Sequence, residues 1–247
     1  MDKRQILNGG RGSFKSSVIS LKLATMVKKQ TQLNHQVNFI LIRENASYLH
    51  DSVYKQMEWA FTQLNMFDEF LYFKSPMRIV HKRTGSTFYF YGGDDPMKLK
   101  SNIVGNVMAV WYEEAANFKG REVFDQANPT FIRQKPSFID HVTVYYSYNP
   151  PKSPYDWVNE WVEDERQDPD CLVDTSTYLD DKWGFTNKEQ LKLIERYKKN
   201  DYDYYRWLYL GEVIGLGTNI YNMENFQAID KLSLIHISEP TRLQLIS

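Results

Sequence analysis

The spacing of apolar residues changes several times along the chain, and each change marks an element. Arg4-Gln5-Ile6-Leu7-Asn8 reads as a short strand, and from Val18 to Val27 apolar side chains recur at helical spacing. Val37-Asn38-Phe39-Ile40-Leu41-Ile42-Arg43 reads as a second strand. It is followed over Ser52 to Leu64 by Val53, Met57, Ala60, Phe61 and Leu64 at helical spacing, which predicts a second β–α unit. Arg78-Ile79-Val80-His81 and Thr87-Phe88-Tyr89-Phe90-Tyr91 flank the polar run Lys82-Arg83-Thr84-Gly85-Ser86 and predict a hairpin, closed by the turn Gly92-Gly93-Asp94-Asp95-Pro96. Val107 to Tyr112 is continuously apolar, as in strands covered on both faces of a parallel sheet, and ends in Glu113-Glu114. A helix around Glu122 to Gln126, a strand Val142 to Tyr146 and the break Ser147-Tyr148-Asn149-Pro150-Pro151 come next. Then follow a helix from Tyr155 to Arg166, a strand from Cys171 to Thr177, and a charged amphipathic helix from Asn187 to Lys199. The last opens on a Thr186 cap with Glu189 at capping-box spacing. This alternation predicts an α/β fold, a largely parallel central sheet flanked by helices.

Between the first strand and the first helix stands Gly9-Gly10-Arg11-Gly12-Ser13-Phe14-Lys15-Ser16-Ser17. A glycine-rich turn there lets backbone N–H groups and the helix N-terminus face phosphates. Lys15 would reach the β/γ oxygens and Ser16 would ligate Mg²⁺, so ATP and Mg²⁺ are the expected cofactors. Phe14 replaces the last glycine of the usual G-x-x-x-x-G-K-[ST] pattern, and an ordinary strand-to-helix turn is the alternative.

Hydrolysis needs more than a phosphate cradle. Glu113 and Glu114 close a buried strand at its carboxyl end, where α/β sheets hold their ligands. Glu113 would hold the Mg²⁺ shell and Glu114 would position water; the alternative is a pair of exposed acids opening the next helix. Asn149, after another apolar strand and before Pro150, can sense a γ-phosphate or simply form an Asn-Pro turn. Arg11 is a candidate phosphate or subunit contact, and Arg43 a weaker one.

Composition narrows the class. With 247 residues, 42% of them hydrophobic, the chain can bury a substantial core, and no apolar run approaches the length of a membrane span. No segment resembles a signal peptide, which points to a cytoplasm. The single cysteine, Cys171, excludes an internal disulfide. A net charge of −1 carries no global sign of nucleic-acid binding, so any DNA contact rests on patches such as Lys98, Lys100, Lys198 and Lys199. The aromatic clusters, Phe88 to Tyr91, Tyr145-Tyr146 and Tyr202 to Tyr209, fit core and edge packing better than base stacking.

Taken in order, Gly9 to Ser16, Arg43, Gly93-Asp94-Asp95-Pro96-Met97-Lys98-Leu99-Lys100-Ser101, Trp111-Tyr112-Glu113-Glu114-Ala115, Tyr148-Asn149-Pro150 and Tyr209-Leu210-Gly211-Glu212 form a series. Over residues 3–231 the chain resembles the large terminase subunits of tailed bacteriophages, of the PBSX-like type. The resemblance implies an N-terminal ATPase domain that drives double-stranded DNA into a preformed capsid, and a C-terminal RNase H-like nuclease domain. It carries the Walker A lysine and serine onto Lys15 and Ser16, the Walker B acids onto Glu113 and Glu114, and a coupling motif onto Ser147, Tyr148, Asn149 and Pro150. The implied partners are double-stranded DNA, a portal protein, a small terminase subunit and sister subunits in a ring on the procapsid. No membrane is implied, and the implied place is the bacterial host cytoplasm during virion assembly.

On this reading residues 1–212 are the ATPase domain and 213–231 a linker or the start of the nuclease domain, so cleavage is not expected of this chain. Family members carry a segment upstream of the loop that helps hold adenine. Here the loop lies eight residues from Met1, so either Met1 is an internal start or the base is held differently. Leu232 to Arg242 reads as translated read-through of a transposase-type sequencing adapter, and Leu243 to Ser247 as index and flanking adapter, with a genuine amphipathic strand as the alternative. Two other functions stay open: another DNA-dependent P-loop ATPase or translocase, and a nucleotide- or DNA-binding fragment without turnover.

Overall fold

The computed structural model describes residues 3–94, Leu99 and 103–215. The expectations for Lys98, Lys100 and residues 216–247, the adapter-like stretch included, lie outside the described residues.

Among the described residues eight strands build one sheet: β1 (Arg4–Gly9), β2 (Asn38–Arg43), β3 (Phe70–Lys74), β4 (Met77–His81), β5 (Thr87–Gly92), β6 (Val107–Glu113), β7 (Thr143–Tyr148) and β8 (Cys171–Ser176), in the order β3-β4-β5-β2-β6-β7-β1-β8. From β5 to β8 every neighbouring pair is parallel, while β3 and β4 add an antiparallel edge beside β5. The predicted hairpin is present as β4 and β5, whereas β3 was not foreseen. Its Phe70-Leu71-Tyr72-Phe73 run is short and half exposed, and an antiparallel partner rather than its own pattern makes it a strand.

Successive side chains of a strand point to opposite faces, and the core shows it. Phe39, Leu41, Ala109, Trp111 and Tyr145 pack beneath α1 (Lys15–Gln32) and α2 (Lys55–Gln63), with Ile19, Leu23, Val27, Met57 and Phe61. Ile40, Ile42, Val110, Tyr112, Val144 and Tyr146 pack on the other face under α3 (Glu122–Ile132) and α4 (Trp157–Glu165), with Phe124, Phe131 and Trp161. The period-two phase therefore decides where Arg43, Glu113 and Ser147 project: in step with Leu41, Trp111 and Tyr145, on the side of α1.

After β8 come α5 (Lys188–Asn200) and α6 (Tyr202–Tyr205), the latter running on into a wider π-type turn over Arg206–Leu210. The cap of α5 corrects the sequence expectation by one residue. Asn187 accepts from the Gln190 N–H and Gln190 returns a bond to the Asn187 N–H, closing a capping box one step past Thr186. Thr186 instead donates its N–H to the Asp181 carboxylate at 2.7 Å. No helix of the described residues is long and apolar enough to cross a membrane.

Candidate active site

The carboxyl ends of β1, β6 and β7 meet beside the N-terminus of α1, and a cleft of about 220 Å³ opens there. It is walled by the loop from Gly10 to Ser17 on one side and by Glu114, Ser147, Tyr148 and Asn149 on the other. Helix α1 enters this cleft without a side-chain cap and without an acid in its first turn. Its first N–H groups and positive dipole end are thus left for an anion.

Phe14 precedes that helix in the left-handed region, at φ 60° and ψ 16°. The motif's missing glycine is therefore missing in sequence only: the backbone keeps the glycine-like conformation, and a phenylalanine occupies it at a cost of about 1–2 kcal/mol. Its ring meets the edge of Phe185 at 5.9 Å, which offsets part of that cost.

Lys15 is buried and folds back on its own loop. Its ammonium donates to Gly9 O at 3.0 Å, Gly10 O at 3.0 Å and Ser13 Oγ at 2.8 Å, using all three of its hydrogens. Burial lowers its pKa to about 8, against the pull of the nearby Glu114 carboxylate.

The two acids are placed differently. Glu113, last in β6, is 8% exposed, and burial pushes its carboxyl up to about 7 although Arg43 opposes the shift. Arg43 and Glu113 are direct neighbours across β2 and β6, with Nε 3.3 Å from Oε2. That approach is off-axis for a hydrogen bond, and Oε2 is left buried without a hydrogen-bond partner. Glu114 sits in the left-handed region at φ 55°, which turns the chain out of the strand so that it borders the cleft while Glu113 does not.

Ser147 Oγ accepts from Trp111 Nε1 at 2.9 Å, a buried bond that fixes the end of β7 to β6. Tyr148 accepts from Asn8 Nδ2 at 3.2 Å, and Thr175 Oγ1 donates to Asn8 Oδ1 at 2.6 Å, so β7, β1 and β8 are tied together under the loop. Asn149 borders the cleft, and Pro150 O accepts from Trp207 Nε1 at 2.9 Å.

That last bond belongs to a part of the site that strand and helix patterns did not reveal. The Arg206–Leu210 turn lies against the glycine-rich loop, where Arg11 N–H donates to Leu208 O at 2.7 Å. A Cβ on Gly10 would collide with Tyr209 O, and one on Gly211 with the Gly9 and Gly10 backbone. The quartet Tyr209 to Glu212 was visible as a motif, but nothing in its spacing says that it backs the loop. Arg11 itself is exposed at the cleft. Lys198 and Lys199 lie in the last turn of α5, with Lys198 4.0 Å from Glu195.

A family profile described as phage terminase large subunit matches residues 2–212. The large terminase subunit of Bacillus phage SPP1 is 31% identical over 226 residues, covering 91% of this chain and 51% of that protein. The chain thus spans about half the length of that relative. Among solved structures, the large terminase of a thermophilic bacteriophage superposes with a TM-score of 0.67 at 16% identity, covering 90% of this chain and 52% of that one. The same thermophilic-phage protein has been solved in complex with ATP-gamma-S, where the likeness is 0.63 at 17% identity over 86% of this chain and 48% of that one. The ATPase domain of the Thermus phage P74-26 large terminase superposes at 0.60 and 16% identity, covering 86% of this chain and 89% of that domain.

Proposed function

The chain belongs to the phage terminase large subunit family, and from that premise we propose that residues 1–212 are an ATPase domain that hydrolyses ATP to move double-stranded DNA into a procapsid. The observation that carries the reading is the convergence, in one cleft, of an uncapped helix N-terminus, a buried lysine and a carboxylate. The thermophilic-phage relative solved with ATP-gamma-S supports nucleotide as the ligand.

In this reading the N–H groups from Ser13 to Ser17 receive the phosphates. Lys15, which with a pKa of about 8 before any ligand binds is already mostly charged at neutral pH, exchanges its loop acceptors for β/γ oxygens, whose negative charge favours the ammonium further. The Glu113 carboxylate, whose Oε2 faces Arg43 but accepts no hydrogen bond, and the Ser16 hydroxyl are the oxygen donors that would hold Mg²⁺, the remaining positions falling to phosphate and water. Magnesium supplies charge neutralisation on the β and γ oxygens. Glu114, at the cleft wall, orients and deprotonates the attacking water. Arg11 touches the phosphates or a neighbouring subunit, and Ser147 to Pro150 relay loss of the γ-phosphate. Residues 213–231 lead toward a nuclease domain. A portal protein, a small terminase subunit and sister subunits in a ring would complete the machine in the host cytoplasm.

Phosphate release from ATP, measured with and without duplex DNA for the wild type and Glu114→Gln, tests the reading. The wild type is expected to turn over faster with DNA, and Glu114→Gln to lose about a hundredfold or more while still binding ATP. A wild type that binds ATP and releases no phosphate would make the chain a non-hydrolysing binding fragment.

A further inference from the structure

The ladder between β1 and β7 ends at the pair Asn8 and Tyr148. Past that pair the two chains part, one into the glycine-rich loop and the other into Asn149-Pro150-Pro151, and they lead into opposite walls of the phosphate cleft. Pro150 and Pro151 have no backbone N–H, so donors from other elements must hold this second wall through its carbonyls. Three consecutive carbonyls are held in that way. Trp207 Nε1–H donates to Pro150 O at 2.9 Å, Asn159 Nδ2 to Pro151 O at 3.3 Å, and the Gly215 N–H to Lys152 O at 2.8 Å. The Lys152 ammonium also lies 4.6 Å from the centre of the Trp207 ring and 5.3 Å from that of Tyr204.

Trp207 and its neighbour Leu208 grip opposite walls. Leu208 stands in the last turn before Gly211, where helical carbonyls run out of N–H groups along their own helix, and its oxygen accepts from the Arg11 N–H at 2.7 Å. The turn that carries both residues is of the wide π type, a form common at functional sites. Between the two grips Arg11, Asn117, Asn149 and Pro151 line an open space of about 460 Å³, so there the walls are spaced by the turn and not by packing against each other.

We propose, on the hydrolysis reading of the cleft, that Trp207 is a positioning residue for ATP turnover: its indole N–H, one residue from the Leu208 carbonyl, fixes where Asn149 stands relative to the glycine-rich loop. Trp207 touches neither phosphate nor attacking water in this role. It acts through Pro150 on the adjacent Asn149, which borders the cleft. A displacement of about 1 Å near a reacting centre can lower turnover by as much as about a hundredfold. Substrate affinity, supplied by the loop N–H groups and Lys15, is left in place, so the loss falls on kcat and not on KM.

Steady-state ATP hydrolysis with duplex DNA, measured on the whole chain for wild type, Trp207→Phe, Asn149→Ala and the double variant, tests this together with the exchange rate of the Arg11 amide hydrogen in the nucleotide-free protein. Trp207 is only partly buried, and phenylalanine keeps a ring beside Lys152 while removing the donor, so the fold is expected to persist. Trp207→Phe should lower kcat about tenfold with KM within about twofold of wild type. It should also speed Arg11 exchange about tenfold, since the turn that supplies the Leu208 acceptor is released from Pro150. In the Asn149→Ala background Trp207→Phe should change kcat by less than about twofold, because the residue it positions is gone. Unchanged kcat, unchanged Arg11 exchange, or losses that multiply in the double variant would overturn the positioning role while leaving the hydrolysis reading intact. A wild type that releases no phosphate removes the hydrolysis reading and the positioning role with it.

Discussion

The Arg43 guanidinium and the Glu113 carboxylate face each other across neighbouring parallel strands, 3.3 Å apart, yet Glu113 remains hard to ionise because burial outweighs the pairing. With a folded pKa near 7 against 4.5 in the unfolded chain, the native state binds more protons between those values. Its contribution to stability is full below pH 4.5 and is lost as pH rises through 7, by a few kcal/mol in order of magnitude. Urea melts of the metal-free protein at a series of pH values should show this decline, and Glu113→Gln should flatten it. A decline that survives the substitution assigns it to other groups.

Lys15 gives the opposite slope at higher pH. Its folded pKa near 8 lies below the unfolded 10.5, so the unfolded chain binds the extra proton in that window. Stability should therefore rise as pH goes from about 8 toward 10.5, on the order of 3 kcal/mol in the limit. Denaturant melts comparing wild type with Lys15→Met over this range measure it; the variant should lose the rise, and should also lose ATP binding.

Phe14 separates backbone strain from side-chain packing. Phe14→Ala keeps the left-handed residue and removes the ring from Phe185, whereas Phe14→Gly removes the same ring and relaxes the backbone. The glycine variant should be the more stable of the two by about 1 kcal/mol in chemical denaturation. The reverse order would show that the left-handed backbone at this position costs nothing.

Ser147 has a structural task alongside its proposed coupling role. Ser147→Ala leaves the buried Trp111 Nε1–H without an acceptor, which should cost about 1–3 kcal/mol of stability. A second variant, Trp111→Phe with Ser147→Ala, removes both partners and should be less unstable than the sum of the single changes. Thermal melts of the wild type, Ser147→Ala, Trp111→Phe and the double variant decide it.

Much of this architecture is local and was legible in the chain. The period-two and near-helical apolar spacings announce β1, β2, β4 to β8 and the flanking helices, because each element must bury one or both faces. The loop was readable because Gly9 to Ser17 stands between a strand and a helix. Other features were silent. β3 is a strand only because β4 pairs with it. The cap of α5 falls on Asn187 rather than Thr186, since two adjacent residues of similar chemistry compete and the packing of the preceding turn on Asp181 takes one away.

What the sequence determined by itself is which chemical groups stand at the carboxyl ends of strands, for a strand's length and phase follow from near neighbours. What only the tertiary structure decided is which of those groups meet. The strand order brings β6 between β2 and β7, so Glu113 finds Arg43, and Glu114 turns toward Lys15. The same packing sets the Leu208 to Gly211 backbone against Gly9 to Arg11, nearly two hundred residues away in the chain. Such contacts depend on the burial of whole faces, a property of many residues together, and no local spacing encodes them.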